Sequence, residues 1–208
     1  MAAKSVAVVI MSVRASRVGP TAASIVKNII EKPLSDDSIT TSVVDLKDFD
    51  LPLYSEEVAP AMIPAFAQFK HEHSKKWSAE IAKHDAYVLV INEYNYGVSG
   101  ATKNAVDYLL TEWKGKPAAI VSYGGQGGSK ASAQLTSILS DMGLRITETK
   151  PQLKFEGGRP EGMGAITKGE ISDESRTAWA ANTDLGKVAE ELMTLLGQPN
   201  ETANVAGA

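Results

Sequence analysis

The run Ser5-Val6-Ala7-Val8-Val9-Ile10-Met11 is apolar on both alternations and rich in β-branched residues, the pattern of a strand covered by helices on both faces. Such a strand belongs inside a parallel sheet, and a parallel sheet needs long crossovers to carry the chain back. The first crossover follows at once. Beyond a polar turn, Ala22, Ile25, Val26, Ile29 and Ile30 keep the spacing of one helical face, with Pro33 expected just past the helix end.

The strand-helix unit then repeats. Thr41 to Asp45 and Ala86 to Ile91 read as the second and third strands. Between them lie a loop, Asp50-Leu51-Pro52-Leu53-Tyr54, and a helix with Phe66, Phe69, Trp77 and Ile81 on one face. Ala101, Ala105, Tyr108 and Leu109 mark the next helix, and Ala118 to Ser122 the fourth strand. Ala131, Leu135, Ile138, Leu139 and Met142 mark a further helix, closed by Gly143. A weaker strand over residues 145–153 brings the total to five. Leu185, Val188, Ala189, Leu192, Leu195 and Leu196 line a final helix, with Lys187, Glu190 and Glu191 on its wet side. This alternation predicts one α/β domain over residues 1–197, a doubly wound parallel sheet flanked by helices. Residues 155–169 carry five glycines and Pro160 and read as a long mobile loop, and residues 198–208 as a disordered tail.

Composition narrows the function. At 43% hydrophobic the 208 residues can build one sizeable core, and a net charge of −4 offers no excess positive potential for nucleic acid. The absence of cysteine removes disulfides, thiolate metal sites, iron-sulfur ligation and a thiol nucleophile together. Any redox chemistry must come from a cofactor. No segment reads as a membrane span or signal peptide, so the cytoplasm is the expected location.

In a doubly wound sheet, ligands bind beyond the carboxyl ends of the strands, where the connections change face. Three loops therefore matter. The turn after strand one, Ser12 to Gly19, combines hydroxyls, Arg14, Arg17 and a helix start, a combination suited to a phosphate. The alternative is that Ser12 and Ser16 simply cap the helix. The loop after strand three holds Glu93, Tyr94, Asn95 and Tyr96 ahead of glycines, with flat faces suited to an aromatic ring system. The loop after strand four, Ser122-Tyr123-Gly124-Gly125-Gln126-Gly127-Gly128, lets backbone approach a ligand closely. Neither a P-loop nor a dinucleotide fingerprint is present, and Asp45 reads as a simple strand-end carboxylate.

Together these loops resemble the NADPH-dependent FMN reductase family of the flavodoxin-like superfamily, which includes small quinone and azo-dye reductases. The phosphate turn matches from Met11 to Gly19 and the flavin loop from Glu93 to Gly97. Lys103-Asn104-Ala105-Val106-Asp107, Glu112 to Pro117 with Ser122 to Gly125, and Asp50 to Tyr54 also match. Met11 stands where the family usually has glycine, and Asn92 where it usually has proline.

The resemblance implies a flavodoxin-like five-stranded sheet in the order 2-1-3-4-5. It implies FMN as cofactor and NADPH or NADH as donor, with hydride passed to the flavin and two electrons to a quinone, free flavin or azo-type acceptor. Ser12, Arg14, Arg17 and Gly19 would hold the phosphate, and Glu93, Tyr94, Asn95 and Tyr96 the ring. Ser122, Tyr123, Gly124 and Gly125 would approach its pyrimidine end. No catalytic side chain and no metal are called for, because the flavin carries the chemistry. His71 and His73, placed on different helix faces, read as packed or solvated residues. Homodimers are expected, and neither nucleic acid nor membrane as partner. Two other readings stay open: a flavodoxin-type electron carrier, and a flavin-gated binding module acting through residues 155–169.

Overall fold

The computed structural model describes residues 4–63 and 68–200. Phe66 and the end of the expected tail, residues 201–208, lie outside the described residues. At the centre, β1 (Ser5–Ile10) pairs in parallel with β2 (Thr40–Asp45) on one side and β3 (Ala86–Tyr94) on the other. A two-residue strand, β4 (Gly97–Val98), folds back antiparallel on the end of β3. Next to β3 lies β5 (Pro117–Gly124), which is followed at the edge by two short strands end to end, β6 (Arg145–Ile146) and β7 (Gln152–Lys154).

The order across the sheet is thus β2-β1-β3-β5-β6, where 2-1-3-4-5 was expected. The difference comes from the unforeseen hairpin strand β4, which enters the count without entering the parallel series. The doubly wound architecture is the predicted one. The fifth strand is broken because Thr149 gives its N–H to the Glu191 carboxylate at 3.0 Å, while Pro151 has no N–H to give. Glu191 therefore organises the sheet edge and does not belong to a merely solvated face.

Each face of the sheet carries its own core. On one, Val6, Val8, Ile10, Val88 and Val90 meet α1 (Gly19–Asp36), α6 (Asp173–Ala180) and α7 (Thr183–Gly197). On the other, Ala7, Val9, Tyr87, Leu89 and Ile91 meet α2 (Glu72–Ala82), α3 (Gly100–Asp107) and α4 (Ser129–Asp141). Every second residue of the central strands serves one core and its neighbour the other, as the unbroken apolar run required.

Three local expectations need correction. First, α1 runs through Pro33 to Asp36, because Leu34 is fully buried and holds the last turn against the core despite the missing N–H. Second, residues 155–169 are not a long loop: α5 spans Gly158–Thr167. Its glycines favour coil, but Glu161 ties it down, accepting from the Gly157 N–H at 2.6 Å, the Ser172 N–H at 2.8 Å and the Ser175 hydroxyl at 2.8 Å. Burial opposes the charge on Glu161, yet these donors hold its carboxyl below the ordinary range. Third, His71 and His73 share a side at the start of α2, with ring centroids 5.3 Å apart and planes within 9°. His73 also lies 3.3 Å from the Tyr108 hydroxyl.

Among the described residues, no helix is long and apolar enough to cross a membrane, and no cluster of three or more His, Asp or Glu could hold a metal ion.

Candidate functional site

A cavity of about 560 Å³ opens at the carboxyl ends of β1, β3 and β5, with α5 as its outer wall. Arg14, Ser16, Arg17 and Val18 line it from the β1–α1 turn, and Glu93, Tyr94 and Asn95 from the end of β3. Tyr123, Gly124 and Gly125 line it from the end of β5. Three loops far apart in sequence thus converge on one volume.

The β1–α1 turn leaves the start of α1 without a side-chain cap, since the N-cap residue is Val18 and neither Ser12 nor Ser16 bonds to the helix N–H groups. An uncapped helix N-terminus beside two guanidinium groups favours an anion. Arg17, however, is already engaged. It forks onto Asp45 through Nη1–Oδ1 at 2.8 Å and Nη2–Oδ2 at 2.6 Å, and also donates to the Ser12 carbonyl at 2.5 Å. The bond to Asp45 raises the Arg17 pKa. Burial pushes the Asp45 carboxyl up, but the bonds from Arg17 and the Lys47 N–H outweigh it and hold the carboxyl below its usual range. Asp45 is part of the turn's framework, and not the simple strand-end carboxylate expected. Arg14 is less committed. It donates to the carbonyls of Ser16 and, across the cavity, Ile166 of α5, and its guanidinium carbon lies 5.9 Å from the Tyr94 ring centroid.

Ser12 and Gly19 lie behind the cavity wall. Ser12 is buried, and its hydroxyl makes no hydrogen bond of good geometry among the described residues. A Cβ on Gly19 would collide with Ser12 Oγ and stand 3.2 Å from the Tyr123 hydroxyl, so only glycine lets these elements pack. Burial pushes the Tyr123 phenol up to about 12, and the nearby Ser12 hydroxyl opposes part of that rise. Tyr123 is a neutral hydroxyl throughout the physiological range. Met11 does not reach the site at all: its N–H extends the β1–β3 ladder to the Val90 carbonyl at 3.1 Å, and its side chain is buried in the opposite core.

At the end of β3, Asn95 and Tyr96 form the two-residue turn between paired Tyr94 and Gly97, with φ of 48° and 64°. Positive φ at both central residues is what a tight hairpin requires, and it is uncommon for tyrosine. Tyr96 consequently projects outward, 76% exposed, with Lys130 Nζ 4.5 Å from its ring centroid. The Glu93 carboxylate accepts from the N–H groups of Lys130 and Ala131, both at 3.0 Å, and so fixes the start of α4.

In the β5–α4 turn, Ser122 is fully buried and its hydroxyl donates to the Gly127 carbonyl at 2.7 Å, stapling the turn from within. Gly128 has φ of 74°, and a Cβ there would meet Ser122 Cβ at 2.9 Å. Gly125 faces open space, with nothing within 4 Å of where a Cβ would stand.

Eight of the twelve residues singled out from sequence therefore line the cavity, while Ser12, Gly19 and Ser122 shape it from behind and Tyr96 stands outside. Sequence reasoning missed Phe155, Gly162, Ala165 and Ile166, all of which fall in the segment read as a loop. It also left Asn92 without a role, although a carboxamide at the end of an apolar strand was a visible signal. Asn92 lines the cavity, is 4% exposed, and among the described residues neither its Oδ1 nor its Nδ2 has a hydrogen-bond partner.

The family model for NADPH-dependent FMN reductases matches residues 5–155. The chain belongs to this family. That membership makes it an oxidoreductase using FMN and NAD(P)H. An NAD(P)H-dependent FMN reductase of Nectria sp is 46% identical over 200 residues, covering 94% of this chain and 98% of the relative. One of Saccharomyces cerevisiae is 41% identical over 145 residues, covering 68% and 76% respectively. Among solved structures, the flavoenzyme NAD(P)H:(acceptor) oxidoreductase of Paracoccus denitrificans superposes with a TM-score of 0.65 over 92% of this chain and 98% of that one. At 22% identity it shares the fold. The family match ends at Phe155, before α5 begins.

The residues present fit the family's cofactor. The uncapped α1 start and Arg14 suit a phosphate, the Tyr94 face suits a planar ring, and the open backbone at Gly124 and Gly125 suits its polar edge.

Proposed function

We propose that this FMN reductase reduces a small-molecule acceptor of the quinone, free-flavin or azo class by two electrons, using NADPH or NADH. The convergence of the phosphate turn, the Tyr94 loop and the Gly124–Gly125 turn on one cavity carries this reading. When bound, FMN supplies the hydride-accepting and electron-donating chemistry.

The protein's own groups bind and orient. Arg14 and the N–H groups at the start of α1 hold the phosphate, while the fork to Asp45 fixes the Arg17 guanidinium beside it with its charge largely balanced by that carboxylate. Tyr94 and Asn95 present a surface to the ring. Glu93 acts indirectly, because its carboxylate sets α4 and with it the Gly124–Gly128 turn. Backbone N–H groups of that turn favour negative charge at the ring's pyrimidine end. No side chain needs to donate or remove a proton.

A homodimer is part of the same proposal. Leu53 and Met62 are 83% and 74% exposed on the segment after β2, and the segment is held in place by Asn104, which donates to the Pro52 carbonyl at 2.7 Å and accepts from the Tyr54 N–H at 3.0 Å. Apolar side chains on an anchored loop suit a second copy of the chain. Leu53→Asp is expected to shift the sedimentation coefficient toward that of the monomer.

The deciding experiment is an absorbance spectrum of the purified protein with FMN, followed by NADPH and NADH oxidation in the presence of a quinone. Flavin bands and multiple turnover are expected. A bound flavin that neither nucleotide reduces would sink the proposal.

A further inference from the structure

We infer that Asn92 is a ligand-binding residue, whose carboxamide hydrogen-bonds the hydroxyl-bearing chain that joins the phosphate of FMN to its ring. The inference rests on the cavity holding FMN as proposed above.

Asn92 closes the buried part of β3, in register with Tyr123 of β5. Strand alternation puts its side chain on the Val88 and Val90 face, the face on which the cavity lies. The rest of the buried part of that strand, Ala86 to Ile91, is apolar apart from the Tyr87 hydroxyl, which is bonded to the Ile81 carbonyl at 2.6 Å. Asn92 is different. Only 4% of it is exposed, and it offers two N–H donors and a carbonyl acceptor with no partner for any of them among the described residues. Buried polar groups are almost always paired, and an unpaired carboxamide is a cost that folding alone does not explain. A ligand in the cavity would repay it.

Position selects the ligand chemistry. Asn92 sits on the strand between β1, whose turn carries the phosphate site, and β5, whose turn borders the ring's polar edge. A ligand spanning the two sites passes over β3. The group there must donate and accept at once, because either assignment of the amide leaves one donor end and one acceptor end to satisfy. Hydroxyls do both.

The test compares three flavins on wild type and Asn92→Leu: FMN, riboflavin, which keeps the hydroxylated chain but lacks the phosphate, and lumiflavin, which lacks both. Leucine is close in size and apolar, so it removes the hydrogen bonds with little change of shape. Dissociation constants from flavin fluorescence are expected to rise about 10- to 100-fold for FMN and riboflavin, with no change for lumiflavin. The thermal midpoint of the flavin-free variant is expected to rise, because an unpaired polar group has been removed from the interior. Equal FMN affinity in both proteins would overturn the inference while leaving the functional reading intact. An equal loss for all three flavins would overturn it too, since Asn92 would then be shaping the cavity. Failure of the wild type to bind any flavin would overturn both. If the leucine variant does not fold, Asn92→Val, which is apolar and suits a strand, is judged by the same comparison.

Discussion

Arg17 and Asp45, 28 positions apart, are joined by two parallel hydrogen bonds of 2.8 and 2.6 Å, with side chains only 11% and 20% exposed. The pair fastens the turn after β1 to the end of β2 and decides that Arg17 is framework first and ligand contact second. Asp45→Asn keeps the shape and removes the charge, and a loss of about 2 to 3 kcal/mol is expected in denaturant unfolding at neutral pH. Because pairing lowers the Asp45 pKa in the folded state, the stabilisation is complete above the unfolded value of about 3.9 and fades as pH falls through the folded one. Wild type and variant should therefore converge in strong acid. A gap that persists there would mean the pair's charge is not what stabilises the turn.

Arg14 should matter to the ligand more than to the fold, since among the described residues its hydrogen bonds run to the carbonyls of Ser16 and Ile166. Losing one charge-assisted bond to phosphate costs about 1.5 to 3 kcal/mol, so Arg14→Ala is expected to weaken FMN by about 10- to 150-fold. Riboflavin, without phosphate, should bind the two proteins alike. Equal FMN affinity would remove Arg14 from the site.

Gly162 offers a test of the α5 wall. It lies inside a helix, lines the cavity, and has nothing within 4 Å of where a Cβ would stand. Replacing a helix-interior glycine stabilises by roughly 0.5 to 1 kcal/mol, so Gly162→Leu should raise the melting temperature while projecting its side chain into the binding volume. Titration with FMN and with quinones of increasing width is expected to show a loss that grows with ligand size. Unchanged binding across the series would place α5 away from the ligand.

Lys116 lies at the other end of the sheet, its ammonium 2.8 Å from the Tyr87 hydroxyl and 3.3 Å from the Ile81 carbonyl. Burial pushes its pKa down to about 8. The unfolded chain holds this proton up to about pH 10.4, so between the two values the unfolded state binds more protons and stability rises with pH. Measured against Lys116→Met, wild type should gain up to about 3 kcal/mol between about pH 8 and about pH 10.5. A difference independent of pH in that window would show that the amine titrates normally.

Much of the architecture could be read from side-chain patterns alone. The unbroken apolar run of β1, the helical spacing of Ala22 to Ile30 and of Leu185 to Leu196, and the loops after β1, β3 and β5 all express local periodicities that the fold keeps. The cavity's composition was legible for the same reason, because strand ends of a doubly wound sheet converge whatever the intervening sequence.

What resisted reading was set by contacts distant in sequence. A glycine-rich segment became α5 because Glu161 gathers donors from Gly157, Ser172 and Ser175, and because Gly169 packs so close to the Arg17 backbone that a Cβ would lie 2.6 Å from its nitrogen. Intrinsic propensity is worth about a kilocalorie per glycine, which a few buried hydrogen bonds readily outweigh. The roles of Arg17, Glu93 and Asn92 were hidden likewise. Residue type shows what a guanidinium, carboxylate or carboxamide is able to bind, but only the folded chain decides whether Asp45, the start of α4, or no described group lies within reach. The sequence by itself determined the parallel strands, most of the helices that cover them and the family. The tertiary structure decided which polar groups were spent on the fold and which were left for a ligand, because hydrogen bonding depends on distance in space and local pattern does not encode it.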